Sequence, residues 1–96
     1  MEPERLGFIG IVLEREKHAS LVNAVISQHA SLVRARMGVP DAASGASVIG
    51  LIVQGDNRAI GSLTAKLGNI KGVQVKSALV QGKAPEAAPP DPSQHD

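Results

Sequence analysis

One aromatic residue, no cysteine and a formal charge of only +1 bound what this 96-residue chain can be. With Phe8 as the sole ring, the core has to be assembled from Val, Ile, Leu and Ala. Stacking platforms for nucleobases and aromatic cages are excluded. The absence of cysteine removes disulfide frameworks, thiolate metal sites and thiol redox switches, and it fits a reducing compartment. Ten Lys and Arg against nine Asp and Glu leave too little positive charge for the electrostatic footprint of a nucleic-acid binder, unless the charges segregate. No apolar run approaches the roughly 20 residues of a membrane span. The acidic, polar start of the chain does not resemble a signal peptide, so the chain reads as cytoplasmic.

What is present divides into an N-terminal extension over residues 1–5, one domain over 6–81 and a Pro-rich tail over 82–96 that reads as disordered. At this length folding buries a little over 60% of the unfolded surface, by the usual scaling. Leu6 to Leu13 is apolar on both faces and reads as a central strand. His18 to Gln28 carries Leu21, Val22, Val25 and Ile26 as one helical stripe. Leu32 to Met37 alternates as an edge strand, with Val33, Ala35 and Met37 on one side and Arg34 and Arg36 on the other. Gly38 to Gly45, punctuated by Gly and Pro, reads as a mobile connection. Ala46 to Gln54 reads as a second central strand, and Asp56 caps a helix with Ile60, Leu63 and Leu67 as its stripe. Gly68 is expected as a left-handed stop, and Gly72 turns the chain into a last edge strand, Val73 to Val80.

The third strand repeats the first. Ile49-Gly50-Leu51-Ile52-Val53 matches Ile9-Gly10-Ile11-Val12-Leu13, so the chain is a duplication of a strand-helix-strand unit. Two such units in series give a ferredoxin-like β-α-β-β-α-β sandwich of class α+β: a four-stranded antiparallel sheet with two helices on one face. Ile9, Ile11, Leu13, Ile49, Leu51 and Val53 would then face the helices, with Val33, Ala35, Val73 and Val75. The opposite face would expose Phe8, Gly10 and Val12 beside Val48, Gly50 and Ile52. Monomers seldom expose so much apolar surface. Central glycines let another backbone approach, and Arg34, Arg36, Gln74 and Lys76 would form a polar rim. These residues define a candidate self-association surface for a dimer or tetramer.

No catalytic residue, cofactor site or metal site emerges. Gly61 to Lys66 lacks the second glycine of a phosphate loop and lies inside a helix, where Gly61 would permit close helix packing. His18, His29 and His95 share no ligand spacing. Arg34 and Arg36, on one side of a strand with Lys76, form the one basic cluster. It suits fencing an edge or pairing between subunits better than binding phosphate. Asp56 disfavours an anion at its helix start. No acid-base or nucleophile pair can be assembled, and the chain reads as a non-enzyme.

Asp56-Asn57 followed by Ile60 to Lys76, together with the strand Phe8 to Leu13, the Arg36-Met37-Gly38-Val39-Pro40 turn and the strand Val48 to Val53, resembles the family of iron-only hydrogenase system regulators. The resemblance runs from Leu6 to Val80. It implies an ACT-like variant of the ferredoxin-like fold that assembles as an oligomer. It also implies a regulatory role in hydrogenase expression or maturation, through a small-molecule effector or a hydrogenase-system protein. The cysteine and histidine set of related nickel-responsive repressors, their DNA-reading segment and the glycine turn of amino-acid-sensing ACT domains are all missing here. A ligand-free structural adaptor and a weak direct DNA-binding regulator are the alternatives. Silence in a ligand screen would favour the first, and steep salt dependence the second.

Overall fold

The computed structural model describes residues 3–41 and 43–80. Strand β1 (Arg5–Leu13) leads through a short 3-10 turn (Glu16–His18) into helix α1 (Ala19–Gln28). A second 3-10 turn (Ala30–Leu32) precedes β2 (Val33–Asp41), which is followed by β3 (Ala46–Gly55), α2 (Asn57–Gly68) and β4 (Val73–Leu79). The sheet order is β2-β3-β1-β4 with every pairing antiparallel, so β1 and β3 are central and the ferredoxin-like β-α-β-β-α-β arrangement is formed.

The period-two pattern of the central strands positions the core. Ile9, Ile11 and Leu13 of β1 and Ile49, Leu51 and Val53 of β3 are buried beneath the helices. They meet Val22 and Ile26 of α1 and Ile60, Leu63 and Leu67 of α2. Val33, Val73 and Val75 pack at the margins of this layer. Leu21, expected in the α1 stripe, is exposed, because a ten-residue helix on this sheet buries only one narrow line of side chains.

Four local expectations are corrected. Gly38 to Asp41 is strand, not loop: Gly38, Val39 and Pro40 pair with Ile49, Val48 and Ser47, and β2 with β3 forms a long hairpin. Proline is tolerated there because β2 is an edge strand, where a missing donor can face away from the ladder. Gly68 is the last residue of α2 rather than a left-handed stop, and the positive φ falls on Gly72, at +81°. Gly61 is exposed and nothing lies within 4 Å of the space a Cβ would occupy, so it makes no close helix contact.

The fourth correction concerns Arg34. Val33 pairs with Val53 but Ala35 pairs with Ile52, so Arg34 is the extra residue of a β-bulge. Beyond it the facing of β2 inverts. Ala35 and Met37 lie opposite Ile52 and Gly50 on the face away from the helices, while Arg36 lies opposite Leu51 on the helix side. Ala35 is therefore exposed rather than packed under the helices.

Two substitutions test the breaks that frame α2. At Gly72 the ring of His18 sits 2.8 Å from where a Cβ would be. A left-handed conformation costs a residue with a Cβ roughly 1–2 kcal/mol. Gly72→Ala is expected to lower the melting temperature by about 4–16 °C, since 1 kcal/mol moves a domain of this size by roughly 4–8 °C. The Asp56 carboxylate accepts from the Ala59 N–H at 2.7 Å. Asp56→Ala is expected to destabilise by about 1 kcal/mol and Asp56→Asn by much less, as urea titration would show.

Candidate functional site

Among the described residues no helix covers the second side of the sheet, which exposes the residues that alternate with the core. Phe8 lies opposite Ile52, Gly10 opposite Gly50 and Val12 opposite Val48. Phe8, Val12, Val48 and Ile52 retain 45, 39, 52 and 38% of their accessible surface. The inverted end of β2 adds Met37 and Val39, exposed at 75 and 64%. The apolar strip thus runs across three strands and reaches the β2 edge.

The paired glycines in its middle do not leave an open channel. The Phe8 ring folds over both: a Cβ on Gly50 would lie 2.9 Å from its Cε1, and one on Gly10 would lie 3.1 Å from its Cε2. An aromatic laid across strand glycines restores the packing that their missing side chains remove. Close approach by a foreign backbone is therefore blocked by the chain's own ring. Beside it, Ala35, Met37, Val39 and Val48 line a shallow apolar groove of about 270 Å³.

The basic cluster expected of Arg34, Arg36 and Lys76 is not formed. Lys76 lies opposite Gly10 on the open face, and Arg34 Nε donates to Gln54 Oε1 at 2.8 Å on that same side. Arg36 points the other way, its Nη2 donating to Asn23 Oδ1 of α1 at 2.7 Å. The alternating sequence gives no sign of the bulge that parts the two arginines. The polar rim of the open face consists of Arg34, Gln54, Gln74 and Lys76, with Gln54 Nε2 donating to Glu4 at 3.3 Å and Gln74 Nε2 to Glu14 at 3.4 Å.

On the helix side the β2–β3 hairpin extends past α1. A cleft of about 470 Å³ lies between them, with Leu13, Ala19 and Ile49 among its lining and Arg36, Asn23, Glu16 and Ser47 among its polar groups. Sequence reading assigned none of these side chains to a pocket, because Arg36 reaches the cleft only through the bulge.

The histidines serve local structure. His18 packs against the Gly72 turn, and His29 Nδ1, 2.9 Å from the Val25 carbonyl, donates to it as an N–H. His95 lies outside the described residues. Gly61 to Lys66 is internal to α2. Among the described residues no group of three or more His, Asp or Glu is placed to hold a metal ion, and no helix is long and apolar enough to cross a membrane.

Comparison with known proteins agrees with this architecture. A model of the TM1266-like family, "Iron-only hydrogenase system regulator, putative", matches residues 5–77. No curated protein matches the chain. The structure is similar to that of the uncharacterized protein TM1266 from Thermotoga maritima, with a TM-score of 0.77 and 33% identity over 81% of this chain and 99% of that one. The C-terminal domain of the MgtC protein from Mycobacterium tuberculosis shares the fold, with a TM-score of 0.65 at 18% identity over 83% of this chain and 92% of that domain. Because the family model spans both strand-helix-strand units and a one-third-identical relative shares the whole sandwich, this chain belongs to the TM1266-like family of iron-only hydrogenase system regulators.

Proposed function

We propose that this chain is a non-enzymatic cytoplasmic regulatory module that acts as a homo-oligomer, pairing through the open face of its sheet and passing on the binding of a small effector or of a hydrogenase-system protein. The observation that carries the reading is the uncovered apolar strip of Phe8, Val12, Val48 and Ile52, extended by Met37 and Val39 and bordered by Arg34, Gln74 and Lys76. An apolar centre with a polar rim is the anatomy of an association surface.

A second copy is the occupant that fits. Four strands about 4.8 Å apart, each some eight residues long at about 3.3 Å per residue, present roughly 500 Å² per copy. Two copies face to face therefore cover about 1,000 Å² before side-chain relief is counted, which meets the size expected of a specific interface. The chain's own tail is a poor cover. Residues 81–96 contain no Val, Ile, Leu, Met or aromatic side chain to fill the groove beside Phe8. Direct DNA reading gains nothing from the geometry, since Arg34 and Arg36 fall on opposite sides of the sheet.

Light scattering of the full chain at micromolar concentration is expected to give the mass of a dimer or tetramer. Ile52→Glu places a carboxylate in the centre of the strip and is expected to cost about 3 kcal/mol of association or more, roughly a hundredfold in dissociation constant. Its circular dichroism should be unchanged, because Ile52 contributes nothing to the buried layer. A monomeric wild type, or an oligomer indifferent to Ile52→Glu, would overturn the assignment.

A further inference from the structure

The cleft on the helix side is built differently from the open face. Its charged groups sit at two ends. At one, the Arg36 guanidinium is held by Asn23 Oδ1 through Nη2, and the remaining donors of that planar fork have no partner among the described residues. At the other, toward the hairpin tip, stands the carboxylate of Glu16. Glu16 and Asn23, which holds Arg36, are seven residues apart along the first helical segment, so the two ends are separated by on the order of 10 Å. Between them the lining is mainly apolar: Ile49 forms the floor over the buried Leu13, Ala19 and Pro40 form the walls, and Ser47 adds one hydroxyl.

The Arg36 end is fixed by local structure. The bulge at Arg34 turns Arg36 onto the helix side, and bulges commonly re-aim a side chain in this way at functional positions. Asp41 accepts from the Ser44 hydroxyl at 2.8 Å and from the Ala43 N–H at 3.2 Å. Those two bonds, the hydroxyl's first, hold its carboxyl below the ordinary carboxylate range and fold it onto the hairpin turn that closes this end of the cleft. Gly38, opposite Ile49, and Gly45 at the tip have no side chains to fill the space between. A volume of about 470 Å³ lies within the usual range of small-molecule sites.

We infer that this cleft binds a small elongated zwitterion, its carboxylate on the free donors of Arg36, its aliphatic body over Ala19 and Ile49, and its ammonium at Glu16. A carboxylate suits the guanidinium because the fork can donate two parallel N–H bonds to it. A second anionic group is refused by the acidic end, and a purely apolar ligand leaves both ends unpaired. The inference gives a site and a chemical class to the effector of the regulatory reading and rests on it for biological meaning. The cleft itself is complete within one chain.

The test is a nitrogen-15 NMR titration of the full chain with 6-aminohexanoate, and with hexanoate and adipate as controls. Saturable shifts are expected for 6-aminohexanoate at the amides of Ala19, Asn23, Gly38 and Gly45, with hexanoate severalfold weaker and adipate weaker still. Arg36→Gln is expected to raise the dissociation constant at least tenfold. Glu16→Gln should weaken 6-aminohexanoate while leaving hexanoate unchanged; it keeps the site testable should Arg36→Gln fold poorly. No saturable shift, shifts mapped to another surface, or equal binding by all three probes would overturn the inference. Light scattering on the same samples separates the two readings. A dimer that ignores the probes leaves assembly standing and removes the ligand site, whereas a monomer that binds 6-aminohexanoate does the reverse.

Discussion

Coverage of a four-stranded sheet by helices on one side only is the constraint from which the other features of this molecule follow. On the covered side, Ile9, Ile11, Leu13, Ile49, Leu51 and Val53 meet five apolar residues of α1 and α2, and this single layer supplies the whole buried core. No aromatic contributes to it, so its density depends on interlocking branched aliphatic side chains. A small domain with one such layer has little stability to spare. Residues on the other face add nothing to that layer, and they are free to serve contacts with something else.

The exposed side shows how the central strands can be apolar on both faces without leaving a defect. Gly10 and Gly50 are direct cross-strand partners, and two missing side chains at one point would leave a hole in the middle of the sheet. The Phe8 ring covers both. The only aromatic in the chain is thus spent on the surface, where it converts a gap into a smooth apolar patch. The residues that repair the sheet are also those of the proposed self-association surface.

The fold was legible because its signals are periodic and repeated. The matching Ile9 to Leu13 and Ile49 to Val53 segments mark the duplication, and alternation along them divides buried from exposed side chains. What escaped was aperiodic. Val33-Arg34-Ala35-Arg36-Met37 alternates so regularly that a bulge inside it leaves no compositional trace, yet the bulge decides which face Arg36 serves. Gly38-Val39-Pro40 carries the residues of a turn, but pairing with Ile49, Val48 and Ser47 overrides their local preference on an edge strand. Gly68 and Gly72 are equally plausible left-handed residues from sequence. Only the packing of His18 on the turn and the reach of Glu14 N–H to the Gly72 carbonyl at 3.0 Å single out the second. The β1 and β3 part of the open face was therefore readable, whereas its β2 margin, where Met37 and Val39 stand and Arg36 does not, and the cleft both depend on the bulge and were not.

The duplication places an approximate two-fold axis through the Gly10 and Gly50 pair, and it exchanges Ile9 with Ile49 and Val12 with Ile52. Phe8 breaks it, because its counterpart in the second repeat is Val48. Were the two halves alike, a body resting on this face could settle in either of two orientations half a turn apart, with nearly equal energy. A single ring on one side of the axis removes that degeneracy. It acts as a keyway, giving a surface made by repetition one distinguishable way up.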